Sequence, residues 1–207
     1  MAQLFNIFPD NPQQRLIRQA AAMLREGAVI VYPTDSCFAL GCQLGDRTAQ
    51  DRIRQIREVE DNHYMTLMCR DLSELSRYAR VDNAQFRLLK NNTPGSYTFI
   101  LEATREVPKR LQHPKRNSIG LRIPDHPVAL ALLEELGEPL LSTTLILPGD
   151  THPLNDAEEI SARLGRKVDL ILAGGQTGLE PTTVVDLTGE IPVVTRRGKG
   201  DTAPFEA

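Results

Sequence analysis

Short apolar runs that carry β-branched residues alternate along this chain with amphipathic segments of helical spacing. The runs Ala28–Tyr32 and Ser118–Ile123 predict buried strands, and the pair Asn11-Pro12 predicts the start of a helix that ends at Gly27. Strands and helices follow one another irregularly, which favours a mixed sheet over a regular parallel barrel. We therefore predict an α/β fold in which helices flank one twisted, open sheet of mixed parallel and antiparallel strands.

The composition limits the classes of protein to which the chain can belong. Its 207 residues, 41% of them hydrophobic, suffice for a core, and no stretch has the composition of a linker, so we predict one domain over residues 1–207. No run approaches the roughly 20 apolar residues of a membrane span, and the N-terminus lacks the pattern of a signal peptide. Three cysteines without metal-type spacing are typical of a reducing compartment, so we expect a cytoplasmic protein.

Four segments place small hydroxyl side chains or a turn where an apolar strand ends. They are Thr34–Ser36, Asn117–Ser118, Ser142–Thr144 and Thr182–Thr183. Open α/β sheets bind ligands at strand ends, where hydroxyl and backbone N–H groups suit phosphate oxygens and small polar substrates. The alternative is that these side chains only satisfy backbone groups at the strand ends.

An arginine interrupts the apolar run Ile119–Ile123. Because charged side chains are seldom fully buried without a partner, Arg122 has two interpretations. It points into a cleft and binds a carboxylate or phosphate with its planar guanidinium, or it forms a buried ion pair with Asp35 or Asp186. Arg196 and Arg197 end the last predicted strand, and one of them is a candidate for the same cleft.

Basic side chains fall in two groups that are candidates for nucleic-acid contacts. They are Arg52 and Arg54 in the second predicted helix, which Arg57 closes, and Lys109, Arg110, Lys115 and Arg116 in a loop. A solvated helix face and an exposed loop are the simpler interpretations, and contact with a phosphate backbone is the alternative. The net charge is −3, so nucleic-acid binding requires such a local basic face.

Familiar catalytic and phosphate-binding motifs are absent from the sequence. It has neither a Gly-Lys-Ser/Thr phosphate loop nor Gly-x-Gly-x-x-Gly after the first strand, so a bound nucleotide must be held in another way. His113 and His126 have no cysteine or carboxylate at ligand spacing, so we predict no metal site. Cys37 is a candidate nucleophile or a small core residue, and we assign no catalytic residue.

Four ordered motifs, which extend from about residue 10 to residue 200, resemble the signatures of the YrdC/YciO family. Tyr32–Gly41 resembles the signature Tyr-Pro-Thr-Asp-Thr-x-Tyr-Gly-Leu-Gly, and Pro94–Leu101 resembles Pro-Gly-x-x-Thr-x-x-Leu. Gly120–Pro127 resembles Arg-x-Pro-x-His-Pro. Pro181–Thr188 resembles Pro-Ser-Thr-Val-Val-Asp, and Arg196 resembles the final Arg of the family. The run Asn62–Cys69 is similar to the YciO branch of this family.

The resemblance implies a concave, positively charged surface that binds double-stranded RNA or tRNA. It also implies synthesis of threonylcarbamoyl-adenylate from L-threonine, bicarbonate and ATP with Mg²⁺, for the t6A modification of tRNA. Carried over by position, it assigns Ser36, Arg122, Ser142 and Thr182 to the substrate and Arg57, Ser118, Thr144 and Arg196 to the nucleotide.

Two positions depart from the synthases of this family. Arg57-Glu58-Val59 aligns with their Lys-x-Arg, and Thr144-Leu145-Ile146 aligns with their Ser-x-Asn. One cation and one amide that would hold phosphates are therefore missing. Two hypotheses remain: a weak or altered threonylcarbamoyl-AMP synthase that binds ATP, and a non-catalytic protein that binds double-stranded RNA, tRNA or ribosomal RNA.

Overall fold

The computed structural model describes residues 1–60 and 63–206, which form ten strands and six α-helices. The strands are β1 Gln3–Asn6, β2 Ile30–Tyr32, β3 Ala39–Gln43, β4 Thr66–Met68, β5 Tyr97–Glu102, β6 Ser118–Arg122, β7 Leu140–Thr144, β8 Leu170–Ala173, β9 Thr183–Asp186 and β10 Val193–Arg196. The helices are α1 Gln14–Arg25, α2 Arg47–Arg57, α3 Leu72–Tyr78, α4 Asn83–Asn92, α5 Pro127–Leu136 and α6 Ala157–Leu164. None of the helices in these ranges is long and apolar enough to cross a membrane.

All ten strands belong to one sheet in the order β1-β8-β2-β3-β7-β4-β6-β5-β9-β10. The pairs β1–β8, β2–β8, β4–β6 and β5–β9 are parallel, and the other neighbouring pairs are antiparallel. The predicted open sheet of mixed strand direction, flanked by helices, is therefore confirmed.

Helix α1 begins two residues later than the sequence predicts. The Gln13 side chain accepts a hydrogen bond from the Phe8 N–H (3.0 Å) and donates one to the Asn6 carbonyl (3.2 Å). These bonds tie Gln13 to the preceding segment and hold it extended, so the helix starts at Gln14 and not at Asn11-Pro12. The predicted end is correct, since Gly27 has a φ of +93° that favours glycine.

Sequence patterns do not predict strands β1 and β3. Strand β1 lies at the edge of the sheet and is largely exposed, so it lacks the apolar alternation that marks a buried strand. Strand β3 lacks β-branched residues. Its Gly41 packs against the Tyr32 ring so closely that a β carbon at this position would lie 2.8 Å from Tyr32 Cε1.

The two faces of the sheet are covered unequally. Side chains on one face, such as Leu67, Phe99 and Leu121, belong to a buried cluster that includes residues of α2, α3, α4 and α6. On the second face, α1 and α5 pack on a cluster whose strand residues come from β2, β3, β4, β7 and β8. Among the described residues, no helix packs on the second face of β5, β6 and β9. That half of the face is left open to form a cleft.

Glu74 places a carboxylate at the inner side of α3. Its side chain is 6% exposed, Arg70 Nε lies 3.0 Å from its Oε2, and neither oxygen receives a well-directed hydrogen bond from the described residues. Burial raises the pKa of Glu74 from 4.5 to about 7. Because the folded pKa lies above the unfolded value, the stability that Glu74 contributes is fully present below pH 4.5 and is lost as the pH rises through about 7.

The Glu74→Gln variant is expected to raise the free energy of unfolding by ~1–3 kcal/mol at alkaline pH and to change it little in acid. The substitution removes the buried charge, and urea unfolding at the two pH values measures the effect. Glu134→Gln is the matched control, since this carboxylate lies 3.8 Å from the same Arg70 but its side chain is 75% exposed. An equal gain in the control would contradict the role of burial.

Candidate functional site

A row of four residues, three of them small, crosses the uncovered half of the second face. Ser142, Thr66, Gly120 and Ile100 face one another in register on β7, β4, β6 and β5. Gly120 is closely flanked, because a β carbon there would lie 3.2 Å from Thr98 Cγ2. The row therefore forms a low floor that leaves room for a ligand above it.

Above this floor lies a cavity of about 380 Å³, which we call the cleft. Its lining includes three arginines, Arg57, Arg116 and Arg196, together with hydroxyl and aromatic side chains. No Asp or Glu is among the described lining residues. The four residues that the sequence assigns to the nucleotide, namely Arg57, Ser118, Thr144 and Arg196, all line this cleft.

Arg57 lies at the end of α2 and reaches the end of β7. Its Nη1 donates to the Thr143 hydroxyl (2.6 Å) and to the Thr144 carbonyl (2.9 Å). Burial lowers the pKa of Arg57 from its ordinary value, and no carboxylate among the described residues lies within 4 Å of it. Among the residues that the structure describes, the guanidinium is held in the cleft by neutral partners.

Arg196 occupies the opposite side of the cleft. Its guanidinium donates to the Thr182 carbonyl (2.8 and 3.1 Å) and to the Thr182 hydroxyl (3.1 Å), which in turn pairs with the Thr98 hydroxyl (2.8 Å). Partial burial lowers the pKa of Arg196, and the described residues supply it with no carboxylate either. Arg116 differs, because its Nη1 lies 3.0 Å from Asp186 Oδ2.

A group of ring side chains lines the same cleft. The Tyr64 and His113 rings lie 5.2 Å apart, and His63 Nε2 lies 3.4 Å from the Thr143 hydroxyl. Burial, together with the charges of Arg57 and Arg54, lowers the pKa of His63, so that its imidazole is neutral at neutral pH. Sequence reasoning did not assign His63 or Tyr64 to the site. Asn62, the first residue of the YciO-like run, lies outside the described residues.

A recess of about 40 Å³ adjoins the cleft. Five threonines line both spaces: Thr66, Thr98, Thr143, Thr144 and Thr182. The four residues that the sequence assigns to the substrate, Ser36, Arg122, Ser142 and Thr182, all line the recess. The two predicted groups thus occupy two adjoining spaces.

Arg122 is 6% exposed and forms an ion pair with Asp35, so one of the two interpretations is observed directly. Asp35 also accepts hydrogen bonds from the Ser96 hydroxyl (2.6 Å) and the Asp125 N–H (3.1 Å). Burial alone would raise the pKa of Asp35, but Arg122 and these donors hold it below its ordinary value. Because Arg122 also lines the recess, the ion pair positions its guanidinium there.

Ser142 and Ser36, which line the recess, are linked to further buried hydroxyl groups. The Tyr32 and Ser142 oxygens lie 2.6 Å apart, and Ser142 donates to the Leu40 carbonyl (3.1 Å). Burial raises the pKa of Tyr32 to about 12, so its hydroxyl stays protonated. Thr34 donates to the Cys37 carbonyl (2.6 Å), which is the strand-end backbone role foreseen for these hydroxyls. Burial also raises the pKa of the Cys37 thiol, which favours its interpretation as a packing residue.

The residues predicted to contact RNA occupy several separate places. Arg52 pairs with Asp169 (2.8 Å), whereas Arg116 lines the cleft. Arg54 and Arg110 line a second cavity, of about 790 Å³, beside α2. Lys109 and Lys115 are exposed. RNA binding by these residues stays a prediction.

The fold and the site together define a class of protein: an open mixed sheet with a cationic, hydroxyl-lined cleft on half of one face. The chain belongs to the Sua5/YciO/YrdC family, whose model, described as "Telomere recombination", matches residues 22–198. The family resemblance of the sequence motifs is thereby confirmed.

Three relatives place the chain within this family. YciO of Escherichia coli (strain K12) is 60% identical over 205 residues, which are 99% of this chain and 100% of the relative, and its crystal structure matches with a TM-score of 0.96. Threonylcarbamoyl-AMP synthase of Shigella boydii serotype 4 (strain Sb227) is 31% identical over 188 residues, covering 88% of this chain and 97% of the synthase. P. abyssi Sua5 complexed with L-threonine is 26% identical with a TM-score of 0.87, covering 95% of this chain and 58% of that chain.

Proposed function

We propose that the cleft binds ATP and that the protein is an altered relative of the threonylcarbamoyl-AMP synthases. It joins a small substrate in the recess to the α-phosphate of ATP, and the bond between the α- and β-phosphates breaks to release pyrophosphate. The observation that carries the proposal is the pair of guanidiniums of Arg57 and Arg196, which face one cavity without a carboxylate partner among the described residues. Guanidinium groups in such a setting favour phosphate, whose oxygens accept their hydrogen bonds.

The arrangement suits adenylation without a covalent nucleophile. The reaction requires two reactants to be aligned and the charge on the transferred phosphorus to be stabilised, and guanidiniums and hydroxyls serve both purposes. The threonines shared by the cleft and the recess would lie between a nucleotide and its co-substrate. Because the described lining holds no carboxylate, Mg²⁺ would be carried by the ATP phosphates.

The two departures from the synthases affect the cleft differently. Ile146 lines it and places an apolar side chain where the synthases carry an amide. Val59 lines the separate cavity beside α2. Arg57 is therefore the cation of this motif that remains in the cleft. Loss of one polar phosphate contact costs about 1–3 kcal/mol, which supports an altered or weakened activity.

The Arg196→Ala variant is expected to bind Mg·ATP roughly 10- to 100-fold more weakly than the wild type, because one charge-assisted phosphate contact is removed. Isothermal titration calorimetry measures the affinity, and pyrophosphate release with L-threonine, bicarbonate and ATP measures the activity. Arg197→Ala is the matched control, since Arg197 pairs instead with Glu206 and Thr202. The proposal would be contradicted if the wild type did not bind ATP, or if the two variants bound Mg·ATP with equal affinity.

A further inference from the structure

The cavity beside α2 has no part in the proposed function. Its volume is about 790 Å³, which lies within the roughly 300–1,000 Å³ of small-molecule sites. We call it the α2 cavity, since it is lined by residues of α2, among them Arg47, Gln50 and Arg54, together with Arg110. None of its described lining residues also lines the cleft or the recess. The α2 cavity is therefore a separate space.

Three guanidinium groups line the α2 cavity with donors to spare. Arg47 and Arg110 are exposed, and neither lies within 4 Å of a carboxylate among the described residues. Arg110 donates only a long bond of 3.4 Å to the Gly45 carbonyl. Arg54 Nη1 lies 3.5 Å from Asp51 Oδ1, and its buried Nε has no partner among the described residues. Such groups favour a phosphate, whose oxygens accept several charge-assisted hydrogen bonds.

Gln50 adds a buried carboxamide to the wall of the α2 cavity. The residue is 1% exposed, and neither its Nε2 nor its Oε1 has a hydrogen-bond partner among the described residues. Most buried polar side chains do have a partner, so an unpaired amide at a cavity wall indicates a ligand. A carboxamide both donates and accepts, and a ligand with a hydroxyl group can satisfy both needs.

Two carboxylates also line the α2 cavity and limit the kind of anion that fits. The Asp51 side chain is 54% exposed, and Glu58 is exposed as well. Carboxylates repel a bare anion but accept hydrogen bonds from hydroxyl groups. Three guanidiniums with two carboxylates and an amide therefore suit a molecule that carries both a phosphate and hydroxyl groups.

We propose that the α2 cavity is a second binding site, which takes a small phosphate ester that carries hydroxyl groups. The arginines bind the phosphate, and Gln50 with the two carboxylates binds the hydroxyls. The site is independent of the proposed function, because its residues are not those of the cleft. It lies close to the cleft all the same, since Arg54 precedes Arg57 by three residues in α2.

The test is calorimetric titration of the full chain with ribose 5-phosphate, AMP and inorganic phosphate, with proton–nitrogen correlation spectra that follow the Gln50 side-chain amide. That signal is the one missing from the Gln50→Leu variant. Ribose 5-phosphate and AMP are expected to shift it. Inorganic phosphate is expected to bind roughly threefold or more weakly than ribose 5-phosphate, because it makes fewer hydrogen bonds.

Two variants locate the site. Arg54→Gln is expected to bind ribose 5-phosphate about 10-fold more weakly, since a charge-assisted hydrogen bond is lost. Gln50→Leu is expected to bind it about threefold more weakly and to keep the thermal stability, because leucine fills a similar volume and removes the unpaired amide. Arg52→Gln is the matched control on the same helix, since Arg52 pairs with Asp169 and does not line the α2 cavity.

The second site is refuted if none of the three compounds shifts the Gln50 signal, or if both variants bind ribose 5-phosphate as tightly as the control. A signal that responds to duplex RNA and to none of the small compounds also refutes it, and marks a nucleic-acid contact instead. Inorganic phosphate that binds as tightly as ribose 5-phosphate excludes an ester as the ligand. Failure of the cleft to bind ATP would overturn the proposed function and leave these outcomes unaffected.

Discussion

Replacement of Arg122 by alanine is expected to lower the free energy of unfolding by about 3–5 kcal/mol at neutral pH. The side chain of Asp35 is 12% exposed, and the substitution leaves its charge buried without the cation that compensates it. The two remaining donors, the Ser96 hydroxyl and the Asp125 N–H, provide only part of the stabilisation that the ionised carboxylate needs. Urea unfolding of the purified variant measures the loss.

The loss should shrink in acid. The folded pKa of Asp35 lies below 3.8, so its stabilising contribution is complete above the unfolded value and is lost as the pH falls through the lowered folded pKa. In the Arg122→Ala variant the burial of Asp35 favours its protonated form, which removes the unpaired charge. Wild type and variant should therefore converge at the most acidic pH at which both are folded.

Arg116→Ala is the control for this prediction. Arg116 also pairs with an aspartate, Asp186, but its side chain is 57% exposed, and exposed pairs contribute about 0–1 kcal/mol. A similar loss for the two variants would show that the buried pair contributes no more than an exposed one. A pH-independent loss for Arg122→Ala would show that packing, and not the charge of Asp35, is responsible.

Replacement of Gly120 by valine is expected to weaken ATP binding on the order of 100-fold while the fold is kept. A β carbon at this position lies 3.2 Å from Thr98 Cγ2 and 3.4 Å from Thr66 Oγ1, so the two methyl groups of valine have to project into the cleft. Valine is well suited to a strand, so the cost in stability should be modest. Calorimetry with Mg·ATP measures the affinity, and circular dichroism verifies the fold.

Gly189→Val serves as the matched control for the cleft-filling variant. Gly189 lies in a turn, and the nearest atom to an added β carbon, the Ile191 carbonyl oxygen, is 3.8 Å away. This variant should bind ATP like the wild type. If Gly120→Val also binds ATP within about threefold of the wild type, the floor of the cleft is not where the nucleotide lies.

Several local elements could be predicted because their causes are local. Aspartate is a favoured residue at the start of a helix, and the Asp46 carboxylate caps α2 by accepting a hydrogen bond from the Ala49 N–H (2.9 Å). Gly27 ends the first helix with a positive φ, and Ser118–Ile123 contains β6. In each case a single side chain or a short pattern decides the backbone conformation. The start of α1 could not be predicted in this way, because it depends on bonds from Gln13 back to Phe8 and Asn6.

The alternation of residue types in three strands could have predicted the floor of the cleft. Alternate residues of a strand face opposite sides of the sheet, and in β4, β5 and β6 one set of alternate positions carries Leu or Phe. Thr66, Thr98 and Gly120 occupy the other set of positions. A strand covered on both faces would carry apolar residues in both sets of positions, so this pattern marks a face without a covering helix. The sequence motifs identified the ends of these strands but not the row between them.

What the sequence alone determined was the fold class, the family, and the two groups of residues that the motifs assign to substrate and nucleotide. What only the tertiary structure decided was which residues meet. Asp35 pairs with Arg122 and not with an arginine nearer in sequence, and Ser142 lies beside Thr66 because antiparallel β7 and β4 pair in one register. The recess also came from the structure, since its lining residues Ala39 and Met68 meet Thr144 and Arg122 only where two pairs of strands align. Such contacts depend on strand order and register, which follow from the burial of the whole sheet and not from any local pattern.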